Sequence, residues 1–223
     1  MSFDARVAGI PDFIAQVKDA LGKDEGQFAQ KKFDAAKDAL SSKYGSKIGK
    51  REISKAFKER SEPQSHIGFE RHGFLEPLQG WAANRNGTTL KAVREDDAWT
   101  EFPHIALLGS NDSLVLPLDF SMPLTVELDE RSFPFMVASA PRLLEELKAA
   151  NAVLKVESSL RNHELPPFVL AKKHEVERLE HIECLDEGFW IKFGLVALRQ
   201  LAMVSFELQL PLIIEPNLIA DKN

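Results

Sequence analysis

The sequence predicts an α+β domain in which a mostly antiparallel sheet is packed by two or more helices and preceded by an N-terminal helical segment. Three observations support this class. Amphipathic helical stripes occupy the first 60 residues, and short apolar runs separated by turn residues occupy the middle of the chain. The stretch from Phe189 to Glu215 has apolar residues at helical spacing on more than one face, which indicates a helix covered on several sides.

The Phe189 stretch is the expected centre of the core. Pro211 should end its helix, Leu212 to Ile214 should form a short buried strand, and Pro216 should end that strand. The helix has polar residues at intervals too short to leave a run of about 20 apolar residues, namely Lys192, Arg199, Gln200 and Glu207. We therefore predict a core helix and no contact with a membrane.

Three helices are expected before residue 61, and each has a narrow apolar stripe. The first begins at Ile10 and ends at Gly22, the second spans 27–44 with Gly45 as its C-cap, and the third spans 51–60. They form either an accessory lobe or a lid on the sheet. The turn-forming residues 61–65 are the expected boundary, which divides the chain into a helical segment or lobe, 1–62, and an α+β main domain, 63–223.

The sheet is expected between about Thr88 and Leu128. The predicted strands are residues 88–93, 105–108, 113–118 and 124–128. Ser139 should cap a helix that has Pro141 in its first turn and ends near Asn151. Residues 168–185 fit a helix or, in their later half, a strand, and we favour the helix.

Composition predicts a soluble globular protein. The chain has 223 residues, enough for a core that needs no disulfide or metal, and its only cysteine is Cys184. Without a charged and apolar leader at the N-terminus, we expect a cytoplasmic location. The net charge is −6, but residues 1–62 have a net charge of +3 and residues 63–223 a net charge of −9.

Common catalytic and ligand-binding motifs are missing from the sequence. It contains no Gly-rich phosphate loop, no nucleophile elbow and no His-Glu-x-x-His motif. On a helix, His174, Arg178 and His181 would share a face near Cys184, but four glutamates in the same run favour a solvated face over a zinc site. We therefore predict neither a metal nor a cofactor.

Nucleic-acid binding is not expected. The basic residues between Lys31 and Lys58 are the only basic concentration, and acidic residues alternate with them, for example Asp34, Asp38 and Glu52. This mixture suits ion pairs along helices better than a track for phosphates.

The acidic part of the chain suggests the function. We expect a non-enzymatic protein-binding module that acts through an acidic surface, such as an inhibitor or immunity-type protein that neutralises a basic partner. The expected binding residues are Glu95, Asp96, Asp97, Glu101, Asp129 and Glu130. The alternative is a hydrolase-type enzyme whose site is assembled from dispersed residues such as His66, His72, His104, Asp119 and Cys184. The oligomeric state stays open.

Overall fold

The computed structural model describes residues 2–61, 64–69, 75–96, 98–108, 112–128, 134–156 and 187–217. The strands of this part are β1 (Ser2–Val7), β2 (Ser65–Phe69), β3 (Ser113–Leu116), β4 (Leu124–Val126), β5 (Phe135–Ser139) and β6 (Leu212–Asn217). Its helices are α1 (Ile10–Leu21), α2 (Lys23–Ile48), α3 (Lys50–Lys58), α4 (Glu76–Asn84), α5 (Leu90–Glu95), α6 (Pro103–Leu107), α7 (Ala140–Leu154) and α8 (Glu187–Leu208). The helix predicted at 168–185 lies outside the described residues.

All six strands form one sheet in the order β2-β1-β6-β3-β5-β4. Every neighbouring pair is antiparallel except β3 and β5, which are parallel. The predicted class, an α+β fold with a mostly antiparallel sheet and an N-terminal helical segment, is confirmed. The extent of the sheet differs from the prediction, because β1, β2, β5 and β6 lie outside residues 88–128.

Helices cover both faces of the sheet. Leu114 and Leu116 of β3 pack with α1, α2 and α3, whereas Val115 points to the opposite face and packs with α4 to α8. Strands β3 and β5 are therefore buried on both faces, which is why β3 reads as a continuous apolar run and not as an alternating one. Of the two arrangements considered for the N-terminal helices, they adopt the one that covers the sheet.

The first N-terminal helix has the predicted start and end, whereas the bounds of the other two differ. Helix α2 starts four residues before the predicted residue 27, and α3 spans Lys50–Lys58 instead of 51–60. Helix α1 has Pro11 in its first turn and ends at Gly22, as predicted. Helix α2 runs four residues past the predicted end, with Gly45 buried inside it, and stops at Gly49, whose φ of 92° favours glycine. The prediction assigned the end of the helix to Gly45, but Gly49 is the glycine that ends α2.

Backbone hydrogen bonds tie the predicted boundary to the start of the chain. Gly9 N donates to the carbonyl of Ser61 at 2.9 Å, and Gln64 N donates to the carbonyl of Val7 at 2.8 Å. The strand that follows, β2, pairs with β1 along its length. The division into residues 1–62 and 63–223 stays a prediction, but the two parts share the same sheet.

Two predicted strands are helices. Residues 88–93 contain the start of α5, where the Thr89 side chain accepts a hydrogen bond from Ala92 N at 3.1 Å, and residues 105–108 overlap α6, which has Pro103 in its first turn. Apolar runs of four to six residues do not distinguish a buried strand from a short helix. The residues that indicate a helix here are the N-cap Thr89 of α5 and Pro103 in the first turn of α6.

Other parts of the prediction are confirmed. Strands β3 and β4 lie within the predicted ranges, although each is shorter than expected. The Ser139 side chain accepts a hydrogen bond from Arg142 N at 3.3 Å and caps α7, which continues past Asn151 to Leu154. The Phe189 stretch forms α8 and then β6, as predicted. The prediction that Pro216 ends this strand is wrong, because β6 continues to Asn217; at Pro216 only β1 still pairs with the strand, so the missing N–H of proline is tolerated there.

Helix α8 is joined to β6 by a tight turn. Gln209 has a left-handed φ of 56°, and the Ser205 hydroxyl donates to the carbonyl of Leu210 at 2.6 Å. These contacts direct the chain back into the sheet immediately after the helix. Within the described residues, no helix combines the length and the apolar character that crossing a membrane requires.

We expect Leu198→Asp to unfold the protein. Leu198 is buried in the core on the α8 face of the sheet, so the substitution would place a carboxylate among apolar side chains at a cost of several kcal/mol. Gln200→Asp, at an exposed position of the same helix, should lower stability by less than about 1 kcal/mol. Urea denaturation followed by circular dichroism measures both, and a cooperative transition in the Leu198 variant would contradict the central place of α8.

We also expect Gly9→Ala to be destabilising. A Cβ at Gly9 would lie 2.5 Å from both the Glu59 carbonyl oxygen and the Ser61 nitrogen, and these backbone atoms cannot move aside without breaking the junction. Gly80→Ala in α4 is the matched control, because its Cβ meets no atom within 4 Å and alanine favours a helix. Thermal melts should show a lower midpoint for the first variant and an unchanged or higher one for the second.

Candidate functional site

Three of the six predicted binding residues lie close together on one exposed segment. Glu95 is the last residue of α5, Asp96 follows it, and Glu101 lies just before α6; all three are exposed. Asp97, Asp129 and Glu130 lie outside the described residues. Three of the six predicted acidic residues are thus exposed, and all three belong to the seven-residue segment 95–101.

Side-chain hydrogen bonds hold this segment against α4. The Thr100 hydroxyl donates to the carbonyl of Ala82 at 2.9 Å and accepts from Phe102 N at 3.3 Å. The Asn86 side-chain oxygen accepts from Glu101 N at 3.1 Å. Because these bonds anchor both the buried and the exposed side of the turn, the acidic side chains project from a fixed backbone.

Trp99 is the most exposed large apolar side chain in the described part of the chain, with 70% of its surface accessible. It lies between Asp96 and Glu101 in sequence, and all three side chains are exposed. We call the exposed residues Glu95, Asp96, Trp99 and Glu101 the Trp99 surface. The sequence analysis missed Trp99 because a tryptophan next to charged residues usually buries its ring.

Positive charges near the Trp99 surface are partly neutralised or turned inward. Lys91 pairs with Glu95 across one turn of α5 at 3.7 Å, an exposed ion pair of little strength. Arg94 instead points toward α4, where its Nη2 donates to Gln79 Oε1 at 3.0 Å. Burial lowers the pKa of Arg94, an effect that the nearby Glu76 partly offsets. The carboxylates therefore dominate the exposed side of this segment.

The residues of the enzyme alternative are only partly brought together. His104 and Asp119 both contact α7: His104 Nδ1 lies 2.7 Å from Glu146 Oε1, and Asp119 Oδ1 accepts from Arg142 Nε at 2.7 Å. The Asp119 hydrogen bond is the main reason that the pKa of Arg142 is raised. His66 lies on β2, and His72 and Cys184 fall outside the described residues.

The His104–Glu146 pair is a buried connection between α6 and α7. Besides the imidazole, the Glu146 carboxylate accepts hydrogen bonds from His104 N at 3.0 Å and from Ile105 N at 2.9 Å. His104 is 1% exposed, and its Nε2 has no hydrogen-bond partner. A substrate could not reach this imidazole in the folded protein, so the geometry favours a structural role.

A cavity lies on the other face of the sheet, between α1, α2 and the ends of β3, β5 and β6. Its volume is about 100 Å³, and its walls are mainly apolar and aromatic, including Phe13, Val17, Phe28, Phe33, Phe135 and Ile213. Four charged residues also line it, namely Glu25, Lys32, Asp112 and Glu215. The sequence did not indicate this site, because its residues come from four separate elements and from the residue before β3.

The described residues contain no group of three or more His, Cys, Asp or Glu side chains suited to a metal ion. The zinc ligands considered from the sequence, His174, His181 and Cys184, lie outside the described ranges. Comparisons with protein-family models, curated protein sequences and solved structures found no match. The geometry of the Trp99 surface and of the cavity is therefore the basis for the functional proposals.

We expect Glu146→Gln to lower the free energy of unfolding by about 1–3 kcal/mol. The substitution removes a charge that accepts three hydrogen bonds and turns an amide NH₂ toward N–H donors at the start of α6. Glu145→Gln is the control, since Glu145 is exposed and pairs with Arg142 at 2.9 Å on the helix surface. Denaturant titrations compare the two, and equal effects would show that the buried bonds contribute little.

Proposed function

We propose that the protein is a non-enzymatic binding module that recognises a basic protein partner through an acidic surface, in the manner of an inhibitor or immunity-type protein. The observation that supports this proposal best is the Trp99 surface, where a 70% exposed tryptophan lies among exposed carboxylates. Tryptophan is enriched among the residues that dominate binding energy at protein interfaces.

The carboxylates and the indole would act on different steps of binding. Exposed carboxylates attract a basic partner over distances of about 10 Å and mainly raise the association rate. The indole offers an apolar face for close packing and a π surface for a lysine or arginine side chain of the partner, which mainly lowers the dissociation rate. Since the segment is anchored to α4, little backbone ordering would oppose binding.

The hydrolase alternative has weaker support. Its best observation is the His104–Glu146 pair, whose geometry resembles that of a base and its orienting carboxylate. The imidazole is buried, however, and among the described residues no serine, threonine or cysteine hydroxyl or thiol makes a hydrogen bond to it. A cytoplasmic location is part of the proposal and is supported by the single cysteine of the sequence.

We expect the carboxylates of the Trp99 surface to affect mainly the association rate and the Trp99 indole to affect mainly the dissociation rate. An affinity pull-down with the wild-type protein identifies the partner, whose rates are then measured by surface plasmon resonance at two ionic strengths. Asp96→Lys should slow association severalfold at low salt, and Trp99→Ala should raise the dissociation rate about tenfold or more. Thermal melts should stay nearly unchanged for both variants, because both side chains are exposed.

Asp19→Lys is the matched control for charge. Asp19 is an exposed carboxylate on α1, which covers the other face of the sheet, so reversing its charge should leave both rates nearly unchanged. An association rate that responds neither to salt nor to the Asp96 substitution would rule out the acidic surface as the binding site.

A further inference from the structure

The cavity beneath α2 has a size and lining suited to a short apolar group. Phe13, Val17, Phe33 and Ile213 are buried and provide apolar walls. The volume of about 100 Å³ is somewhat smaller than the roughly 150 Å³ engineered cavity known to hold benzene, so an alkyl chain of a few carbons can enter. Phe28, which is 41% exposed, marks the side on which the cavity meets solvent.

Carboxylates outnumber cations around this cavity. Of the described residues, the charged ones that line it are Glu25, Lys32, Asp112 and Glu215, and Arg6 lies 3.5 Å from Glu215. Three negative and two positive charges leave a net charge of −1. A ligand carboxylate would be repelled by this set, whereas a ligand ammonium would be attracted.

The cavity lining already holds one ammonium group. Lys32 Nζ pairs with Asp112 and lies 5.4 Å from the ring centres of both Phe28 and Phe135. Its side chain is only 14% exposed. Aromatic faces combined with a carboxylate form the environment that stabilises a partly desolvated cation.

Glu25 supplies a second, unused carboxylate at the solvent side. Among the described residues it makes no hydrogen bond or ion pair, and it lies seven residues before Lys32, on the same side of α2. Seven residues correspond to a separation of about 10 Å between the two backbone positions along a helix. Lys32 is paired with Asp112, so the negative charge of Asp112 offsets the repulsion between Lys32 and an ammonium beside Glu25.

We propose that this cavity binds a small organic cation, a primary amine whose short apolar tail enters between α1 and α2 while its ammonium lies beside Glu25. The amine is protonated at neutral pH, since alkyl ammonium groups have pKa values near 10. The site is on the opposite face of the sheet from α4 and α5, which hold the Trp99 surface, so this proposal does not depend on the protein-binding function.

The test compares three unbranched probes with six carbons each, namely n-hexylamine, hexan-1-ol and sodium hexanoate. Dissociation constants are measured by saturation-transfer NMR at pH 7 with the full chain. We expect n-hexylamine to bind at least three times more tightly than hexan-1-ol and hexanoate to bind most weakly. Tighter binding of hexanoate would reverse the assigned charge preference, and absence of binding by every probe would overturn the site.

Two substitutions test whether the ammonium of n-hexylamine lies beside Glu25. Glu25→Gln should weaken n-hexylamine binding about two- to fivefold and leave hexan-1-ol unaffected, because an exposed carboxylate contributes modestly to the binding of a cation. Asp24→Asn removes the neighbouring exposed carboxylate, which does not line the cavity, and should change neither probe's affinity. Equal effects of the two substitutions on n-hexylamine would show that the amine is attracted by general charge and not by this site.

Discussion

The pairing of β6 with its two neighbours is the contact on which the rest of the structure depends. One edge of β6 binds β1 over six residues, and the other binds β3 over three, so this strand joins β2-β1 to β3-β5-β4. Its side chains also belong to both cores, since Leu212 and Ile214 pack with α4 to α8 while Ile213 packs with α1 to α3. Both layers of helices thus require β6 to be in register.

The features of the fold that could be predicted are those with strong local signals. The continuous apolar pattern of α8 and the proline after it located the helix and β6, and the Ser139-Ala140-Pro141 sequence located the start of α7. The sequence analysis did not predict β1, because the charged residues Asp4 and Arg6 interrupt the apolar run that is typical of a buried strand. Its place in the sheet comes from pairing with residues about 200 positions away, which no local pattern indicates.

The sites were harder to predict than the fold, for a related reason. Acidic residues are visible in a sequence, and three of those chosen are exposed in one segment. The 70% exposure of Trp99 is a property of the packed structure, which no local pattern indicates. His104 was considered for catalysis on its residue type alone. Its actual partner, Glu146, is 42 residues away and makes it part of the link between two helices. The cavity likewise exists only after α1 and α2 have packed on the sheet.

The late position of β6 in the chain determines the order in which the sheet can be completed during synthesis. Ribosomes add about 5–20 residues per second, so roughly 10–40 seconds separate the emergence of β1 from that of β6. During this interval β1 can pair with β2, but its other edge has no strand to accept it. An open strand edge invites pairing with other chains, and the charged Asp4 and Arg6 on this short strand oppose such pairing. The charged residues that make β1 hard to recognise in the sequence are thus of the kind that natural sheet edges use against pairing with other chains.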